Sequence, residues 1–118
     1  MRNLGRVPPT VELLLWSGCP SHERAREQLV GVMAELGLDP ASVTERAVES
    51  DEEAGRLGFV GSPTVLVDGR DAVDSAGAPA ALTCRLYRRR DGSPSPLPDT
   101  EDLREALARA IDSEGDPQ

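Results

Sequence analysis

The chain has 118 residues, the size of one domain with a single core. Its 38% hydrophobic and 29% charged residues describe an ordinary globular protein rather than a disordered one, and its net charge of −8 argues against generic nucleic-acid binding, which depends on neutralising phosphates. Trp16, Phe59 and Tyr87 are the only aromatics, so the core is predicted to be aliphatic. Arg85 and Arg88–Arg90 form a local basic cluster that reads as a solvated strand end, with no interleaved aromatics to stack on bases. The longest apolar run is shorter than the roughly 20 residues needed to cross a bilayer. Residues 1–10 carry no apolar stretch of the kind a secretory signal needs, so the cytoplasm is the expected location.

Val11–Trp16 is a short apolar run with one charge, predicted to be a strand buried on both faces and bounded by Ser17-Gly18. Cys19-Pro20 follows. Ala25, Leu29, Val32, Met33 and Leu36 then trace one face of a helix that stops at Gly37. Pro20 suits the first helical position, which sets Cys19 at or beside the N-cap. Val43–Val48 is predicted to be a second strand. Ser50 and Glu53 form a capping box opening a short helix to about Gly58. Thr64–Val67 is a third strand, closed by the turn signal Asp68-Gly69. Thr83–Arg89 alternates and is predicted to be a fourth strand. Residues 91–98, rich in Pro, Ser and Gly, read as a loop. Thr100–Ile111 is a final helix presenting Leu103, Leu107, Ala110 and Ile111, with Glu101 and Asp102 in its first turn, where the helix dipole favours acids. The predicted architecture is therefore α/β, in the order β-α-β-α-β-β-α, with a four-stranded mixed sheet flanked by helices. Residues 11–112 make the domain, between an N-terminal extension (1–10) and a tail (113–118) expected to fray.

Two features coincide in this order. Gly18-Cys19-Pro20-Ser21-His22 joins the first strand to the first helix, and Gly61-Ser62-Pro63-Thr64 immediately precedes the third strand. The pairing resembles the thioredoxin superfamily, and the likeness covers roughly residues 11–112. It implies a nucleophilic Cys19 at the first position of the family's C-x-x-C motif, and a cis Pro63 lying against it. The second motif position here is His22, so the adjacent resolving thiol is missing. A narrower likeness, carried by Gly18-Cys19-Pro20, Gly61–Gly69 and Cys84–Tyr87, is to small bacterial thioredoxin-like proteins, some of which are labelled alkylmercury lyase. Organomercurial cleavage in true lyases uses two cysteines and a carboxylate, and no local motif here identifies the carboxylate.

The unpaired amides of a helix N-terminus favour a thiolate, so Cys19 is expected to have a pKa below the free-thiol value of about 8.5. His22, one turn away, either stabilises the anion, carries a proton, or is a solvated side chain. Trp16 either lines the site or packs in the core, and the resemblance adds Pro20, Ser62 and Pro63 as residues facing the substrate. Cys84 has two readings. On a fourth strand beginning at the far end of the sheet, it would lie a strand length of about 17 Å from Cys19, beyond the Cα separation of about 7 Å that a disulfide tolerates, and would be a buried structural cysteine. Alternatively, the long Asp68–Leu82 connection folds back and delivers it to Cys19.

The leading functional expectation is a thiol-disulfide oxidoreductase of the monothiol kind, with Cys19 its single motif cysteine, forming a mixed disulfide there that a small thiol, a partner protein or Cys84 resolves. Its partners would be small molecules or proteins bearing thiols or disulfides, with no nucleic acid, membrane or resident cofactor or metal. The alternatives are a soft-metal or organomercurial thiolate site using Cys19 and Cys84, and a binding module that kept the fold without the chemistry.

Overall fold

A computed structural model of the chain describes residues 8–75 and 77–114. The central strand β1 (Val11–Leu15) pairs in parallel with β2 (Thr44–Ala47) and antiparallel with β3 (Thr64–Val67), and β3 pairs antiparallel with β4 (Arg70–Asp71). The sheet is mixed and four-stranded, in the order β2-β1-β3-β4. Burial on both faces of β1 accounts for its apolar run: Leu13 and Leu14, pointing to opposite sides, are 0% and 1% exposed.

Helix α1 (His22–Glu35) buries the predicted stripe of Ala25, Leu29, Val32 and Met33, with Leu36 half-buried beside it. The Leu38 amide donates to the Met33 carbonyl and the Gly37 amide to that of Ala34, a Schellman pair that ends the helix where the glycine predicts. With α3 (Thr100–Glu114), which contributes Leu103 and Leu107, α1 forms one core against Val11, Leu13, Leu15, Val65 and Val67. On the other face, α2 (Asp51–Leu57) sets Ala54 beside Leu14, Val48 and Phe59. The Ser50 hydroxyl caps α2 by accepting from the Glu53 amide, while the Glu53 carboxylate reaches back to the Glu49 amide. β2 is exposed along its whole length, and Arg26 of α1 forms an ion pair with its Glu45.

Three sequence-based expectations are corrected. The fourth strand is Arg70–Asp71, not Thr83–Arg89. Asp68 (φ 53°) and Gly69 (φ 82°) form a two-residue turn with both residues at positive φ, which folds the chain straight back so that Val67 pairs with Arg70. The sheet is thus completed within the first residues of the Asp68–Leu82 connection, whose remaining described residues add no strand to it. Thr83–Arg89 instead runs outside it, and its end, β5 (Tyr87–Arg88), pairs with β6 (Pro94–Ser95) inside the segment read as a loop. Finally, α1 begins at His22 with Ser21 as its N-cap, so Pro20 precedes the helix rather than opening it. Residues 113–114 continue α3, while residues 1–7 of the extension and 115–118 of the tail lie outside the described residues. Among the described residues no helix is long and apolar enough to cross a membrane.

Phe59, 0% exposed, is the largest side chain of the α2-side core. Phe59→Ala is expected to lower unfolding free energy by about 3–5 kcal/mol in a denaturant titration, through lost transfer energy and the cavity left behind.

Candidate functional site

β1 ends at Leu15 and the chain turns over Trp16–Cys19, closed by the Cys19 amide donating to the Trp16 carbonyl at 2.9 Å. Gly18 is needed for space: a Cβ there would come within 2.5 Å of the Trp16 indole. This turn delivers Cys19 to the segment Gly61–Thr64, whose Ser62–Pro63 peptide is cis. Ser62 ties the two together. Its hydroxyl accepts from the Trp16 amide at 3.0 Å, and its carbonyl accepts from the Cys19 thiol at 3.5 Å.

The other side of Ser62 holds Cys84. The Ser62 amide donates to the Thr83 carbonyl and the Arg85 amide to the Ser62 carbonyl, each at 2.8 Å. This isolated parallel bridge pairs Ser62 with Cys84, and the same Ser62 accepts from the Cys19 thiol, so the two cysteines flank one residue, close enough for each thiol to shift the other's pKa. Both cysteines are free thiols; Cys19 is buried and Cys84 exposed. The geometric reading that made Cys84 a buried structural residue is therefore corrected. It assumed that Cys84 lay on the fourth strand, whereas the connection after β4 returns across the site.

Arg85 fixes this return. Its side chain is only 7% exposed, and the guanidinium donates to Asp71 Oδ2 (2.8 Å), the Val73 carbonyl (2.9 Å) and Thr64 Oγ1 (3.2 Å). It also lies 4.4 Å from the centroid of the Tyr87 ring, within cation–π range. The Tyr87 hydroxyl donates to the Pro63 carbonyl at 2.5 Å. Burial pushes the Tyr87 phenol far above its ordinary pKa, so it stays a donor. Gly61 lets the two segments touch: a Cβ there would meet the Arg85 Cβ at 2.7 Å and Cα at 2.9 Å, and its φ of 142° disfavours any side chain. Arg85, read from the sequence as solvated, is thus buried. The exposed Arg88 and Arg90 do fit that reading, and Arg90 forms ion pairs with Asp102 and Glu105 on α3.

The electrostatics of the two sulfurs differ. Burial, the largest single influence on Cys19, raises its pKa, but the Ser21 amide, the Ser62 hydroxyl, the Cys84 thiol and the Ser21 hydroxyl together outweigh it and hold Cys19 below the ordinary thiol value. Ser21, the N-cap, makes no side-chain capping bond to the helix; its hydroxyl serves the sulfur instead. Cys84 is pushed up, first by its hydrogen bond to Cys19, then by burial and by the neighbouring charge. The first proton to leave the pair therefore leaves from Cys19, and the anion is held by donated hydrogen bonds.

His22 does not join these donors. Its Nε2 lies 2.6 Å from the Trp16 carbonyl; because a carbonyl can only accept, Nε2 carries the hydrogen. The ring lines a separate recess with Ser17, Glu45 and Glu49. Trp16 is half-buried against the Phe59 core. Pro20 is exposed, whereas Ser62 and Pro63 are fully buried and act on the site through Trp16, Cys19 and Tyr87. Ser21, Arg85 and Tyr87 were not legible as site residues. The available signals were a serine just ahead of the helical stripe and a period-2 alternation that buries Arg85 and Tyr87 while exposing Cys84, Leu86 and Arg88. No group of three or more His, Cys, Asp or Glu among the described residues could hold a metal ion.

Comparisons with protein-family models, with curated proteins and with solved structures found no match to this chain. Fold and site together define an α/β protein that carries a two-thiol centre beside a helix N-terminus. A thiolate titration by ultraviolet absorbance is expected to show a first midpoint below about 8.5. Cys84→Ala removes one donor and should move the Cys19 midpoint up; a midpoint unchanged or lowered by that substitution would contradict the geometry.

Proposed function

We propose that the chain is a thioredoxin-like thiol-disulfide oxidoreductase whose redox pair is Cys19 and Cys84. The observation that carries this reading is that both cysteines are seated on Ser62, Cys19 through its thiol and Cys84 through the main-chain bridge, with each thiol shifting the other's pKa and Cys19 held towards the thiolate. The sheet order, with α1 and α3 packed on one face and α2 on the other, also agrees with what the thioredoxin resemblance implies, as does the cis Ser62–Pro63 peptide. Cys84 then serves as the second thiol that position 22 lacks, contributed by a distant segment rather than by the next helical turn. Substrates are thiols or disulfides. Oxidation of the pair by a substrate disulfide removes two hydrogens from the protein and releases two substrate thiols.

A small dialkyl disulfide is expected to convert the wild-type protein to a form lighter by two hydrogens in intact-mass measurement, with Cys19 and Cys84 linked in the peptide map. Either single Cys→Ser variant should abolish turnover of a disulfide reporter. A stable mixed disulfide on the wild-type protein, with no internal bond, would point to monothiol chemistry; absence of any reaction would point to a binding module.

The nearness of the two thiols across Ser62 supports a second reading, a two-coordinate site for a soft ion such as mercuric ion, taken as substrate or cargo. One equivalent of mercuric ion bound by the wild-type protein and released from both single variants would promote it.

A further inference from the structure

The two sulfurs are unequal in access. Cys19 is 3% exposed, enclosed by Ser21, Ser62 and Cys84. Cys84 is exposed and lines a cleft of about 350 Å3 with Val60, Val73, Leu86, Tyr87 and Arg88 among its walls. Leu86, beside Cys84 in sequence, is 67% exposed, giving the cleft an apolar rim. A larger recess of about 500 Å3, between the β3–β4 hairpin and α3, is lined by neither cysteine. Thiol-disulfide exchange needs the entering sulfur to approach one sulfur of a disulfide from the side opposite the other. Cys19, at 3% exposed, offers an entering sulfur almost no surface, whereas Cys84 stands open on the cleft.

We propose that Cys84, not the helix-proximal Cys19, is the sulfur that exchanges with substrate, so that the mixed disulfide forms on Cys84 and Cys19 acts only on Cys84. This rests on the pair reading above and reverses the division of labour expected from the sequence. In the oxidised protein, a substrate thiolate bonds to Cys84 Sγ, the Cys19–Cys84 bond breaks, and its electron pair leaves on Cys19 as thiolate. A second substrate thiolate then attacks the substrate sulfur and releases Cys84 as thiolate. The substrate dithiol is oxidised to a disulfide and the protein pair is reduced. In reverse, a substrate disulfide is attacked by the Cys84 thiolate, and Cys19 expels the remaining substrate thiolate from Cys84 to form the internal disulfide. The hydrogen bonds around Cys19 suit the leaving role, because a better-stabilised thiolate leaves faster. The substrates that fit are thiols and disulfides whose flank beside the sulfur is apolar, to lie against Leu86.

The test treats Cys19→Ser, Cys84→Ser and wild-type protein with bis(2-hydroxyethyl) disulfide at a pH of about 8.5, where an ordinary thiol is half ionised. Matched thermal melts confirm that each variant folds. Adducts are located by acid quench and peptide mapping. Cys84 in Cys19→Ser should form the adduct at least tenfold faster than Cys19 in Cys84→Ser, and the wild-type transient should sit on Cys84 before the internal bond closes. Equal or faster modification of Cys19, or a wild-type transient on Cys19, would overturn the proposal while leaving the redox pair intact. Wild-type protein that forms no internal disulfide would instead defeat the pair reading, and this proposal with it.

Discussion

A guanidinium taken out of water must find partners for its hydrogens, and the partners Arg85 finds decide where the chain runs after the sheet is complete. Asp71 on β4, the carbonyl of Val73, the hydroxyl of Thr64 on β3 and the ring of Tyr87 all converge on it. Breaking a buried ion pair from one side costs about 3–5 kcal/mol, because the remaining charge stays buried; partial exposure of Asp71 to solvent moderates that cost. The main-chain bridge between Ser62 and the Thr83–Arg85 segment lies next to this anchor. Cys84 is therefore held at its station by a side chain whose own chemistry has no part in the thiol exchange we propose.

The same arrangement divides the two sulfurs by environment. Cys19 sits where the first strand hands over to α1, and it collects donors from Ser21 and Ser62. Ser62 carries several bonds at once: its hydroxyl links Trp16 and Cys19, and its carbonyl accepts from both Cys19 and Arg85. When Cys19 is protonated it can donate to that carbonyl; when ionised it accepts from the donors around it. Cys84 is exposed, whereas Cys19 is buried. Stabilisation of charge and exposure to solvent thus fall on different residues, both seated on Ser62.

Much of this was readable from the residues because it rests on short-range rules. The two-faced apolar run of β1, the α1 stripe ending at Gly37, the cap at Ser50 and the Asp68-Gly69 turn each follow from local sterics and side-chain spacing, and each formed as read. The site was half legible: the apposition of Cys19 with Pro63 was implied by the thioredoxin resemblance, and the antiparallel pairing of β1 with β3 is what brings the Ser62–Pro63 segment to Cys19. Cys84 was harder. A strand of two residues, Arg70–Asp71, carries no hydrophobic pattern, so the alternating Thr83–Arg89 took its place in the sequence reading. That alternation is real, but it records Arg85 and Tyr87 turned inward against the sheet's edge rather than a strand within it. Arginine is almost never fully buried unless paired, so its burial here depends on Asp71, a partner no local rule could nominate.

The Arg85 anchor keeps the two cysteines together, and the thiol-disulfide equilibrium of the pair against a glutathione buffer reads how firmly it does so. Arg85→Met keeps the length of the side chain and removes the guanidinium. A folded Arg85→Met protein is predicted to close the Cys19–Cys84 disulfide at least tenfold less favourably than wild type. An equilibrium constant unchanged by that substitution, in protein that melts cooperatively, would show that Arg85 does not hold the pair.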